Sequence, residues 1–223
     1  MAAPAIRTAA LTKDYGAGEG LFDLELQVSA GESFGLLGPE GAGKTTAIRL
    51  LMGMIRPTRG SAYIFGLDCF REAVEVKRRV GHVAGKTPDF GGMRGGEIVT
   101  YLSGLRGGVH ANRVHELAER FGVDLGAPHR EYTQAERQKL SIILAFMHDP
   151  NLLILDEPAK DLDVQAAAEL DLLLDESRDG GSAILLASRD TSDLERHCDR
   201  VGTLRRGKLA RALEDNSRRA LPP

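Results

Sequence analysis

Apolar residues alternate through the first third of the chain, take on helical spacing through the middle, and fall into alternating strand and helix blocks towards the end. Ile6 to Leu11, Phe22 to Val28 (with Phe22, Leu24, Leu26 and Val28 in alternation), Phe34 to Leu37 and Ser61 to Phe65 read as short strands separated by Gly and Pro. Most of these strands follow one another without a helix between them, which predicts an antiparallel β portion. A helix from Lys44 to Met54 opens an α/β core and ends at the turn Arg56-Pro57-Thr58-Arg59-Gly60; a further strand is expected at Val80 to Val83. From about Lys86 to Leu140 the spacing predicts a small helical lobe. One core-facing stripe is formed by Ile98, Tyr101, Leu102 and Leu105, and another by Val114, Leu117, Ala118 and Phe121. Beyond Leu140 a helix to Met147, strand Leu152 to Leu155, helix Val164 to Ser177, strand Ala183 to Ala187, a short helix near Asp193 to His197, and strands at Val201 to Leu204 and Lys208 to Ala212 restore the α/β rhythm. Asn216 to Pro223 is expected to fray. Without repeats or low-complexity segments, residues 1–223 read as a single domain with the helical lobe, 86–140, inserted in its core.

Composition narrows the partners. With 223 residues, 42% of them hydrophobic, the chain can bury a substantial core. Its 29 basic and 32 acidic residues give a formal charge of -3, so no global field draws nucleic acid or anionic lipid, and no nucleic-acid partner is expected. Cys69 and Cys198 fit no metal or redox spacing and read as buried, inert thiols. His82, His110, His115, His129, His148 and His197 also lack metal-ligand spacing and are expected to be solvated or capping. Arg205-Arg206-Gly207-Lys208 reads as an exposed basic turn. The longest apolar runs are far too short to cross a bilayer and Met1 to Ala10 lacks the apolar core of a secretory signal. The expectation is a cytoplasmic protein that reaches a membrane only through a partner.

Gly38-Pro39-Glu40-Gly41-Ala42-Gly43-Lys44-Thr45-Thr46 follows an apolar strand and opens a helix. Glycines at these positions let successive amides turn towards an anion, and the helix presents its positive end to the same place. Lys44 supplies a charge for the β and γ phosphates of a nucleotide, and Thr45 a hydroxyl for Mg²⁺. The alternative is a Gly-rich turn that happens to precede a helix. Leu152 to Leu155, by contrast, reads as a strand buried on both faces, with Asp156 and Glu157 at its carboxyl end, where ligands of open α/β sheets bind. Asp156 would hold Mg²⁺ through water opposite Thr45, and Glu157 would orient or deprotonate an attacking water. Taken alone, two such carboxylates could equally be solvated surface.

With both motifs in order, the chain resembles the nucleotide-binding subunits of ATP-binding cassette (ABC) transporters along essentially its whole length. The resemblance implies a P-loop NTPase fold of ABC type: α/β, with a parallel-sheet core, an antiparallel β subdomain and a small helical subdomain. It also implies ATP and Mg²⁺ as ligands, a second ABC domain in a homo- or heterodimer, and an integral membrane permease as partner. Tyr15, in Leu11-Thr12-Lys13-Asp14-Tyr15-Gly16, matches the aromatic that stacks on adenine, although packing at a strand end would also account for it. Ala159 to Asp163 matches the loop that crosses the dimer interface, and Asp193 to Val201 is similar to the family's closing segment.

Other family positions differ. The signature Leu-Ser-Gly-Gly-Gln corresponds to Tyr132-Thr133-Gln134-Ala135-Glu136, which loses both glycines and gains an acid. Gln134 and Ala135 are expected to crowd an opposing phosphate there, and Glu136 to repel it. The Mg²⁺-sensing glutamine is replaced within Ala84-Gly85-Lys86, best matched by Gly85, and the switch histidine by Arg189, which can meet a phosphate but cannot act as a neutral imidazole. Glu40 places a carboxylate in an anion-binding loop and would be harmless if turned to solvent. Each family site combines one chain's loop, acid, glutamine and histidine with the other chain's signature. A homodimer would therefore carry two poor sites, and the expectation is ATP binding with slow or absent hydrolysis.

Overall fold

A computed structural model describes residues 3–213, so the expected fraying of Asn216 to Pro223 lies outside the described residues. In chain order the first elements are β1 (Ile6–Gly16), β2 (Glu19–Leu24), β3 (Gln27–Val28), β4 (Ser33–Leu37), α1 (Lys44–Leu51), β5 (Arg59–Ile64) and β6 (Leu67–Asp68). They are followed by α2 (Ala73–Arg79), β7 (Val80–Val83), α3 (Gly95–Leu105), α4 (Ala111–Phe121), a 3₁₀ turn (His129–Glu131) and α5 (Gln134–Phe146). The last are β8 (Leu152–Asp156), α6 (Val164–Asp179), β9 (Ala183–Ser188), α7 (Thr191–His197), β10 (Arg200–Arg205) and β11 (Lys208–Leu213).

Two sheets result. One is antiparallel in the order β2-β1-β5-β6, with β3 also paired to β1. The other runs β11-β10-β4-β9-β8-β7 and is parallel except at its β10-β11 hairpin. The expected α/β architecture is therefore present, with its antiparallel portion and helical layer. Every residue of β8 and β9 is buried, and their side chains alternate between two cores. Leu152, Ile154, Ala183, Leu185 and Ala187 face a core shared with α1 and the antiparallel sheet. Leu153, Leu155, Ile184 and Leu186 face one shared with α4, α5 and α6. An unbroken apolar run thus specifies a strand covered on both faces.

Several boundaries differ from the sequence reading. Phe22 to Val28 is not one strand, because the buried Thr8 hydroxyl inserts into its ladder, donating to Leu24 O at 2.7 Å and accepting from Leu26 N at 2.8 Å. The helix from Lys44 stops at Leu51 rather than Met54; Gly53, at φ 60°, turns the chain so that Met54 N donates back to Arg49 O. The sequence reading missed β6 and α2, the latter a short polar helix with Val76 as its buried residue. On α3 the stripe is rotated: Ile98 and Val99 face inward, while Tyr101 and Leu105, expected in the core, are 58% and 57% exposed. The helix expected beyond Leu140 to Met147 does end close to there, at Phe146, but it begins inside the lobe at Gln134 and packs on β7, so lobe and core share one helix.

The β7–α5 contact needs a residue without a side chain, since a Cβ on Gly81 would lie 2.2 Å from Ala145 O and 2.8 Å from Leu153 Cδ2. Gly81→Ala should therefore lose about 1–3 kcal/mol of stability by overpacking against rigid backbone. Gly104→Ala, in α3 with open space around it, should instead be neutral or gain up to about 1 kcal/mol. Urea unfolding midpoints check both, and equal effects would refute the packing argument.

Candidate nucleotide-binding site

The carboxyl ends of β4, β8 and β9 open into a cavity of about 790 Å³. Its walls bring together Tyr15, Pro39 to Thr46, Asp156 and Glu157, so residues spread over 140 positions of sequence meet at one place. Gly38 lies beneath the loop, where its N–H donates to Ser188 O at 3.3 Å. A Cβ there would come within 2.6 Å of Leu204 O. Gly43, at φ 107°, holds the left-handed turn into α1.

Helix α1 differs from α5 and α6 at its start. No side chain caps α1, and its first turn carries no acid. Thr133 and Glu136 form a reciprocal capping box on α5, while Asp163 caps α6 through Ala166 N at 2.8 Å. The α1 end thus leaves amide donors directed at the cavity with no internal anion to satisfy them.

Lys44 is buried, 5% exposed, yet its ammonium is well partnered. Nζ donates to Gly38 O at 2.5 Å and Pro39 O at 3.2 Å, and stands 3.6 Å from Glu157 Oε1. Thr45 Oγ1 donates to Asp156 Oδ2 at 2.7 Å. Burial holds the Asp156 carboxyl above its ordinary range, against the Thr45 bond and with help from the neighbouring Glu157. A hydroxyl and a desolvated carboxylate in contact, facing a cavity lined by Lys44, form a donor set suited to a hard divalent cation bound beside phosphates. Glu157 sits at φ 50°, a left-handed conformation unusual for a side chain, fixed by its N–H donating to Ala187 O at 2.9 Å.

The remaining predicted positions are distributed unevenly. Tyr15 is half exposed on the cavity wall with Lys13 Nζ 5.5 Å from its ring centre. Gly85 abuts the metal-type pair, since a Cβ there would lie 2.9 Å from Asp156 Oδ2, and a glutamine would press that carboxylate off Thr45. The Glu136 carboxylate folds back to accept from Thr133 N and Oγ1, both at 2.8 Å. Tyr132 is buried, its hydroxyl donating to Asp124 O. Glu40 is 91% exposed, but Arg189 approaches it.

The histidines were misread from sequence, whereas the basic turn is exposed at Arg205, Arg206 and Lys208 as expected but was read only in part. The basic turn Arg205–Lys208 is not merely solvent-facing: Arg206 and Gly207 line the cavity because Phe22 N donates to Gly207 O at 2.7 Å, joining the β10-β11 hairpin to β2. No local signal encodes that long-range bond. Among the histidines, His129 and His197 are buried, and burial beside Arg106 pushes His82 and His148 down to about 4. His197 Nε2 lies 3.0 Å from Asp171 Oδ1. Among the described residues no group of three or more His, Cys, Asp or Glu converges as a metal site. Cys69 and Cys198 are buried free thiols, pushed up to about 12 by desolvation.

The ABC transporter family profile matches residues 21–160, which include both the loop and the carboxylate pair. The bacitracin transport ATP-binding protein BcrA of Bacillus licheniformis is 33% identical over 207 residues, covering 92% of this chain and 68% of that protein. This chain belongs to the ABC transporter family. The probable multidrug ABC transporter ATP-binding protein YbhF of Escherichia coli K12 is 31% identical across 89% of this chain, which spans only 35% of that relative. Among solved structures, an ATP-binding subunit of an ABC transporter superposes with a TM-score of 0.86 at 25% identity, covering 94% of this chain and 90% of that one. A dimeric cassette bound to ADP and Pi shares the fold at 19% identity, with a TM-score of 0.81 and coverage of 94% and 98%. The ABC nucleotide-binding fold is thus established for this chain.

The raised Asp156 has a measurable consequence. Its folded form keeps the proton to higher pH than the unfolded chain does, so the ionised carboxylate lowers stability at neutral pH, and that penalty fades as pH falls through the folded value. Asp156→Asn keeps an acceptor for Thr45 and removes the charge. In metal-free buffer it should raise Tm at pH 7, with the gap over wild type closing below about pH 4. A lower Tm at pH 7 would show that burial does not govern this carboxyl.

Proposed function

We propose that this chain is the Mg·ATP-binding subunit of a membrane transport system in which hydrolysis is slow. The observation that carries the reading is the uncapped α1 terminus beside Lys44 and the Thr45–Asp156 pair. In this reading the α1 amides and Lys44 hold the phosphates, Thr45 and Asp156 hold Mg²⁺, and Tyr15 stacks on the base. Bound there, the cation would shield phosphate charge. Glu157 lines the same cavity beside Lys44, where it would orient water near a terminal phosphate. The names of the relatives, which include bacitracin transport, daunorubicin resistance and Nod factor export proteins, favour an exporter. Among the described residues no helix is long and apolar enough to cross a membrane; in this reading translocation falls to a membrane permease, with a second cassette completing the assembly.

A second reading is a degenerate ABC domain that clamps ATP as a structural or regulatory subunit of a membrane complex. The self-capped α5 terminus favours it, because Glu136 already occupies the place where a glycine-lined signature would receive an opposing phosphate. Turnover of the purified assembly with its partner separates the two.

Loss of the Lys44 charge removes a charge-assisted contact of roughly 1.5–3 kcal/mol, so Lys44→Ala should weaken Mg·ATP binding tenfold or more. Tyr15→Ala should weaken ATP and GTP alike, since stacking uses the ring face rather than a base edge. Calorimetry checks both, and equal ATP affinity for wild type and Lys44→Ala would refute the site.

Wild-type turnover should be slow and Glu157→Gln should change it little, because neither a switch histidine nor an open signature surrounds the terminal phosphate. Phosphate release from the assembled transporter measures this. Brisk hydrolysis abolished by Glu157→Gln would show that Arg189 and Thr133 suffice.

A further inference from the structure

A second cavity, of about 370 Å³, is lined by β5, the loop before it and the turn after β6, and shares no lining residue with the nucleotide cavity. Leu11 of β1 and Leu50 of α1, both buried, give it an apolar floor. Its charged residues are Arg56, Arg59 and Arg71 against a single acid, Asp68. The whole chain carries a formal charge of -3, so this excess of cations is local.

The segments that bear these groups are held in place. Thr58 N donates to Thr12 O at 2.8 Å and Thr58 Oγ1 accepts from Asp14 N at 3.1 Å, which ties the loop before β5 to β1. On the other side Asp68 is paired with Tyr63 in the β5-β6 register. Its Oδ1 accepts from Phe70 N at 2.9 Å and from Arg71 N at 2.8 Å, so the one carboxylate of the cavity is turned to its own backbone. Arg59 Nη2 meets Asp23 Oδ1 at 2.7 Å, whereas among the described residues Arg56 and Arg71 have no ion-pair partner. The guanidinium carbon of Arg56 lies 4.7 Å from the centre of the Phe70 ring. Such a stack uses the face of the guanidinium and leaves the N–H donors at its edge free for an anion.

We propose that this cavity binds a phosphate monoester carried on a small apolar body, with Arg56 and Arg71 holding the phosphate and Leu11, Leu50 and Phe70 receiving the apolar part. A monoester offers three terminal oxygens, enough for two bidentate forks, and its charge offsets the local excess of cations. The volume is that of a small-molecule site. A soluble organic phosphate and the headgroup of a phospholipid present the same chemistry. The proposal does not rest on the reading of the nucleotide cavity.

The test is made in the Lys44→Ala background, which removes the phosphate contact of the nucleotide cavity. Phenyl phosphate and inorganic phosphate are titrated by calorimetry, and flotation is measured with phosphatidylcholine vesicles carrying phosphatidic acid, a monoester, or phosphatidylglycerol, a diester. Arg56→Gln/Arg71→Gln should lose about tenfold or more in affinity for the monoester, and Arg56→Lys/Arg71→Lys, which keeps the charge without the fork, should recover only part. Unchanged melting profiles show that each variant folds. Arginine-dependent binding of phenyl phosphate assigns a soluble ligand; arginine-dependent flotation with phosphatidic acid but not phosphatidylglycerol assigns the headgroup. Inorganic phosphate should bind more weakly than phenyl phosphate, and equal affinities overturn the role of the apolar floor. If neither phenyl phosphate nor phosphatidic acid is bound in an arginine-dependent way, the site is refuted.

Discussion

The two-sided burial of β4, β8 and β9 is the constraint on which the site depends. A strand covered on both faces cannot shift register without exposing apolar side chains on one side and crowding the other. Its carboxyl end is therefore fixed to within a fraction of a residue. Asp156 and Glu157 leave β8 at that point, Ser188 and Arg189 leave β9, and Gly38 leaves β4, where its amide is tied to Ser188 O. Groups of opposite charge can then be held a few ångströms apart on separate loops, because the loops start from positions that do not move.

Helix α1 adds the directional element. Its amino end is open while those of α5 and α6 are closed by their own side chains, so of these three helix ends one is left for an external anion. Around it the cavity balances cations against carboxylates. The balance explains how Lys44 can be buried at low exposure and Asp156 can be desolvated in one small volume: each has a partner from another element.

Much of this was legible in the sequence because it is encoded locally. The loop from Gly38 to Thr46 is contiguous, the run Leu152 to Leu155 announces its burial, and the acid pair follows directly. What escaped the sequence is set by contacts between distant segments. Thr8 splits the strand near Leu26 through a hydroxyl that alternation cannot reveal, and α3 turns Tyr101 and Leu105 outward because its neighbour α5, not its own periodicity, decides which face is covered. Arg206 reaches the cavity because the distant β10-β11 turn is bonded both to Phe22 of β2 and, through Gly207 N, to Ala42 O of the loop. Glu136 was read only as a charge that would repel an opposing phosphate, yet the Thr-x-x-Glu spacing of a capping box was present at Thr133 and could have shown that it folds back.

That capping box also separates the two helix ends in how they respond to their surroundings. There the Glu136 carboxylate takes the Thr133 amide and the Thr133 hydroxyl takes the Glu136 amide, each tethered at an effective concentration far above that of any free anion in solution. Those two amides are therefore paired by their own chain whatever the supply of nucleotide, whereas in the proposed reading occupancy at α1 follows that supply. In that reading one polypeptide carries a helix end whose state depends on a ligand and another whose cap is supplied from within the chain.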